Sequence, residues 1–159
     1  MRAVWISAAL AVLLFAGLAW YLAPLNPGVL SLQFAATPRA FGAVVHAWPA
    51  EHLARYRAHL PVDGLLLLAY GSFGYLLATR SPWMAALSPR MRWMATWALP
   101  AAALFDAVEN ALHWWLTELP RFGVPLVYGL AAAASGLKWL LIVVFMLLLS
   151  HALARRSAA

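Results

Sequence analysis

Five ionisable side chains fall inside stretches that are otherwise apolar: Asp63, Asp106, Glu109, His113 and Lys138. Carboxyls beside an imidazole and an ammonium can donate and accept protons on a bound substrate. They can hold the polar head of an amphiphile, or pass protons along a chain. They can also pair only with one another and fix the register of the helices that carry them. Asp106, Glu109, Asn110 and His113 stand at i, i+3, i+4 and i+7, which places them on one helical face. The rest of that segment is Ala, Leu, Phe, Val and Trp, so the polar face must turn away from lipid.

Counting along helices sharpens the pattern. Asp63 lies seventeen residues before Arg80, Glu109 seventeen after Arg92, and Lys138 seventeen before Arg155. At a rise of ~1.5 Å per residue each group stands ~25 Å from one plane of arginines. Three charged groups from three segments are therefore expected at a common level. Three carboxyls against a single lysine leave an excess of acid, which favours a cationic amine or a polar lipid headgroup as ligand. Asp63, Asp106, Glu109, Asn110, Lys138 and Tyr70 are the candidate ligand-binding residues, and the first five are expected to form the polar floor of a pocket. The candidates for acid–base work are Glu109 and Asp106, with His113 as a base near the end of its helix. Tyr75 is expected to line the bundle with Tyr70.

The chain holds no cysteine, which excludes disulfides and thiolate chemistry. His46, His52, His59 and His151 read as interfacial. Only His52 and His59 share a helix face, and two imidazoles alone make a poor metal site. No metal and no cofactor are expected.

These side chains need a scaffold. Of 159 residues, 65% are hydrophobic and 10% charged, a balance too apolar for the surface of a water-soluble domain of this size. Four apolar runs, at 3–23, 61–79, 93–116 and 124–150, each meet the ~20-residue requirement for a membrane span. The expected fold is all-α: one transmembrane domain over 1–159, a four-helix bundle. The first run ends in Trp20 and Tyr21, an aromatic belt, and is read as a retained helix rather than a cleaved leader. In the long link after it, Thr37-Pro38 is a helix start. Phe41, Val44, Val45 and Trp48 then repeat at amphipathic spacing. The segment at about 37–60 is expected to lie on the membrane surface and lead into a second helix that begins before its span. Ala131 to Ala134 with Ser135 and Gly136 offer a small-residue stripe for close packing.

The formal charge of +6 comes from ten arginines, mostly between the apolar runs, and one lysine, set against five acids. No basic surface stands apart from the apolar runs, so nucleic acid is excluded as a partner. Arg2, Arg80, Arg90, Arg92, Arg155 and Arg156 fall on one side; Arg39, Arg55, Arg57 and Arg121 fall on the other. The richer side is expected to be cytoplasmic, with both termini inside, in a bacterial inner (plasma) membrane. The expected partners are membrane lipids, a small amphiphilic ligand and further copies of the chain in a homo-oligomer.

The stretches Leu32-Gln33-Phe34-Ala35-Ala36-Thr37, Ala47-Trp48, Asp63, Ala69-Tyr70-Gly71, Leu104-Phe105-Asp106-Ala107-Val108-Glu109-Asn110 and Lys138-Trp139 resemble an uncharacterised bacterial family of four-helix membrane proteins. The resemblance covers about residues 30 to 150 and implies a fold and a polar site, with no known activity. A narrower one lies in Arg55-Tyr56-Arg57-Ala58-His59-Leu60, which is similar to the start of the second helix in microsomal glutathione transferases. That family continues with an Asn and a Glu for glutathione, whereas Pro61, Val62 and Asp63 follow here. Architecturally, a polar face flanked by Trp97, Phe105 and Trp114 is similar to sterol isomerases of the emopamil-binding type, which use acids for proton transfer. Binding of a small amphiphile or lipid from the outer half of the membrane is thus the leading expectation. The alternatives are an isomerase or transferase on a lipid-like substrate, a proton or cation transport component, and a structural membrane subunit.

Overall fold

A computed structural model describes residues 1–119 and 121–157. Among them the chain is helical throughout, with no strand: α1 (Arg2–Leu22), α2 (Val29–Gln33), α3 (Pro38–Ala47), α4 (Ala50–Arg80), a 3-10 turn (Pro82–Ala86), α5 (Pro89–Leu116) and α6 (Pro125–Ser157). A long link carrying α2 and α3 joins α1 to α4, and short links join α4, α5 and α6, so α1, α4, α5 and α6 run alternately up and down, each packed on the next. Arg2, Arg80, Arg90 and Arg155 therefore gather at one end, and α2 and α3 close the other.

Local chemistry accounts for the boundaries. The Thr37 side chain accepts a hydrogen bond from the Ala40 N–H at 3.1 Å, with Pro38 in the first helical position, as the sequence predicts. Ser88 does the same for α5, accepting from Met91 N–H. Pro61, at the start of the second span, lies in the interior of α4, a helix of 31 residues that begins before the span, as the sequence predicts. The predicted surface segment at 37–60 thus divides into α3, the Trp48-Pro49 link and the first turns of α4. Pro100 likewise sits inside α5. A proline removes one backbone donor, a loss that neighbouring groups absorb in tightly packed apolar helices.

α4 and α5 approach closely where side chains are smallest. A Cβ placed on Gly74 would lie 2.5 Å from Leu99 Cβ, and one on Gly71 3.3 Å from Ala103 Cβ. On α6 the small-residue stripe is half used: Ala131, Ala134 and Ser135 are buried, while a Cβ on Gly136 would meet nothing within 4 Å. Two apolar cores result. One, at the arginine-rich end, joins Val4, Leu77, Met84, Ala98 and Phe145. The other, at the α3 end, joins Leu32, Phe41, Trp48, Tyr56, Leu116 and Tyr128. A polar band lies between them.

Three helices are long and apolar enough to cross a membrane: α1, α4 and α6. α5, at 28 residues, has the length but does not reach the same apolar standard. Arg90 and Arg92 open it, and Asp106, Glu109, Asn110 and His113 occupy its second half. The four equivalent runs expected from sequence are therefore three by this measure. α1 turns Ile6, Val12, Leu13 and Trp20 outward, an apolar surface of the kind lipid covers.

Candidate functional site

The polar band is built around Lys138 of α6. Its Nζ lies 2.9 Å from Asp106 Oδ1 and 2.7 Å from Glu109 Oε2. Asp106 and Glu109 are one turn apart on α5, so a single ammonium bridges both. The three side chains are 5%, 8% and 1% exposed. The second oxygen of Asp106 accepts a hydrogen bond from the Tyr70 hydroxyl at 3.1 Å. Ser135, one turn before Lys138, is fully buried beside it.

Toward the α3 end the band continues through His113. Its Nδ1 lies 3.8 Å from Glu109 Oε1 and 2.7 Å from the Tyr56 hydroxyl, and its buried Nε2 has no hydrogen-bond partner among the described residues. The imidazole is 1% exposed, so the terminal, accessible base expected from sequence is a sealed one. His59, expected at the interface, is also buried, and its Nδ1 is hydrogen-bonded to the Tyr56 carbonyl. Tyr56 was not foreseen as part of the site, yet it is 1% exposed and joins α4 to His113. A signal was present: Tyr56, Asp63 and Tyr70 recur every seventh residue, which is one stripe of α4.

Asp63 stands beside Asn110, the residue after Glu109, but does not pair with Lys138. It is half-buried, and its Oδ2 accepts from Asn110 Nδ2 at 2.6 Å. Within 4.0 Å the ammonium meets acids of α5 alone. α4 instead contributes Tyr70 to Asp106 and Asp63 to Asn110. Tyr75 does not line the bundle: it is 42% exposed and leans on Trp97. Among the described residues, no group of three or more His, Asp or Glu side chains is arranged to hold a metal ion.

Two cavities open at the α3 end. One, of about 340 Å³, lies under α3, walled by Phe41, Val45, Trp48, Leu53, Leu116 and Tyr128, with His46, Glu118 and Arg121 at its rim. The other, of about 430 Å³, lies on the outer side of α3 against Thr37, Arg39, Ala43 and Phe122. They share Pro38, Gly42, His46 and Phe122. Asp63, Tyr70, Asp106, Glu109, Asn110 and Lys138 line neither one. Lys138 is paired with Asp106 and Glu109, which closes α5 onto α6. The floor of the cavity under α3 is aromatic. Phe41, 5.5 Å from the His113 ring and 5.1 Å from that of Tyr128, separates it from the charges.

The arginines at this end are mostly engaged. Arg55 donates to the Tyr21 carbonyl at 3.0 Å. Arg57 donates to the Trp114 carbonyl at 2.9 Å and to Thr117 Oγ1 at 3.0 Å, with its guanidinium over the Trp114 ring. Arg121 lies 3.7 Å from Glu118 and over the Trp115 ring. Arg39 is exposed and has neither hydrogen bond nor ion pair among the described residues. The arrangement therefore offers an apolar cavity with a polar rim, set above a closed charge cluster. No protein-family model, curated protein or solved structure matches this chain significantly.

Proposed function

We propose that the chain is a four-span protein of a bacterial plasma membrane that binds a small amphiphile in the cavity under α3, at the outer face. The cavity carries this reading. Its volume of about 340 Å³ falls at the small end of the ~300–1,000 Å³ range of ligand pockets, and its walls are aromatic and aliphatic below a rim with polar groups. An amphiphile has that division of character. α5 serves as the fourth span, because its polar side is covered by α4 and α6 while Trp93, Trp97, Leu104 and Val108 face outward. The richer arginine end is the cytoplasmic one, which puts α3 outside.

In this reading the buried charges position the helices and do not touch the ligand. Lys138 holds α5 to α6, and Asn110 with Tyr70 holds α5 to α4. The rings of Phe41 and Tyr128 rest on this framework. Acid–base chemistry by the buried acids would require those rings to part, since Asp63, Asp106 and Glu109 line neither cavity.

Gly42 supplies the test. It borders both cavities, and a Cβ there would meet only His46, at 3.9 Å. Gly42→Leu should fill the space without strain and strengthen α3 by up to about 1 kcal/mol, since glycine is a poor helix former. The purified wild-type protein should carry an amphiphile visible by mass spectrometry, and the variant should lose it with its melting temperature unchanged or raised. Equal amounts of bound amphiphile in the two would refute the assignment.

A further inference from the structure

Resting on the reading above, we infer that the amphiphile is an anionic one, whose oxyanion head is held by Arg39 and His46 on the outer side of α3 while its chain crosses at Gly42 into the cavity under the helix. The acid excess in the sequence suggests the opposite charge. Asp106 and Glu109, however, are bound to Lys138 and line neither cavity at the α3 end.

At the outer cavity the side chains that carry donors are Thr37, Arg39 and His46, set in an otherwise apolar lining. Of the four arginines at this end, Arg55, Arg57 and Arg121 are committed to carbonyls, a hydroxyl, a carboxylate or aromatic faces. Arg39 has no such partner among the described residues, and it lines the outer cavity with His46. A guanidinium presents a planar fork of donors that matches a phosphate or carboxylate. The continuity of the two cavities through Gly42 and Phe122 gives a headgroup at Arg39 a path for its chain. Glu118, on the far rim of the inner cavity, already has Arg121 beside it.

The test compares single-chain amphiphiles that differ only in the head. Native mass spectrometry in a neutral detergent measures binding of dodecyl phosphate, dodecylphosphocholine and dodecyltrimethylammonium, with inorganic phosphate as a competitor. Dodecyl phosphate should bind about tenfold more tightly than the cationic amphiphile. Arg39→Gln should remove that preference, weaken dodecylphosphocholine less than dodecyl phosphate and leave the cationic amphiphile no weaker, and Gly42→Leu should reduce binding of all three. A cationic preference, or a phosphate preference that survives Arg39→Gln, overturns the charge assignment while the cavity reading stands. So does an equal loss of every head in Arg39→Gln, which makes the residue structural. If inorganic phosphate alone competes as well as dodecyl phosphate, the site takes free anions and the amphiphile is refuted. If no amphiphile binds the wild-type protein, the cavity reading falls as well.

Discussion

Replacing Lys138 by methionine is the most searching perturbation of the buried band, because one side chain closes two ion pairs. The substitution keeps most of the volume and removes only the ammonium. Asp106 and Glu109 are then left facing each other, 8% and 1% exposed, where no solvent can replace the lost partner. Breaking a buried pair in this way costs about 3–5 kcal/mol. In a chain of 159 residues, at about 2–4 °C per kcal/mol, the melting temperature should fall by about 6–20 °C. Adding Asp106→Asn and Glu109→Gln removes the stranded charge. Their amides keep acceptors for the Tyr70 hydroxyl and supply donors to each other, so the triple variant should regain at least half of the loss. Thermal unfolding in neutral detergent, followed by near-ultraviolet circular dichroism of the tryptophans, measures both steps. A drop below about 3 °C for Lys138→Met, less than the equivalent of about 1–2 kcal/mol, would show that the ammonium holds nothing together. A triple variant no better than the single one would show that packing, not charge, was lost.

Three further substitutions probe the parts around this cluster. Tyr56→Phe removes the hydroxyl at 2.7 Å from His113 Nδ1 and leaves a fully buried imidazole short of its hydrogen bond, so denaturation should show a loss of about 1–3 kcal/mol; an unchanged midpoint would mean the hydrogen bond adds nothing. Gly74→Ala drives a methyl to 2.5 Å from Leu99 Cβ and should cost about 1–3 kcal/mol. Thermal unfolding reads the cost, and an unchanged melting temperature would show that α4 and α5 do not approach so closely there. Thr37→Ala deletes the cap on Ala40 N–H and should weaken α3 by about 1 kcal/mol, read as weaker amphiphile binding with global stability nearly intact.

Much of this was legible in residue order, and what was not has identifiable causes. The apolar runs, the Thr37-Pro38 helix start and the amphipathic α3 follow from local patterns, and the coordinates contain them. The spacing of Asp106, Glu109 and His113 also announced a buried polar face on α5, since a helix fixes which residues share a side. Partner choice was not readable in the same way. Asp63, Glu109 and Lys138 count to the same depth, but depth leaves rotation about each helix axis free. That rotation is set by packing, here by Gly71 and Gly74 against Leu99 and Ala103, which turns Asp63 toward Asn110. His59 is hidden for a different reason. It precedes the apolar run and so reads as interfacial, yet on α4 it and Tyr56 face the packed interior and both are buried. The cavity was invisible because it depends on α3 folding back over the bundle end, a tertiary event with no local signature.

The ion pairs of Lys138 also bear on how the protein is made. α1, α4 and α6 are apolar enough to enter a bilayer by themselves. α5 is synthesised with two acids that have no counter-ion until the lysine, 32 residues after Asp106, leaves the ribosome. In the four-span reading proposed above, an isolated α5 would have to bring bare carboxylates into hydrocarbon, so its stable entry waits for α6. On that reading the insertion machinery accepts α5 and α6 together, as a hairpin whose second segment supplies the charge that the first lacks.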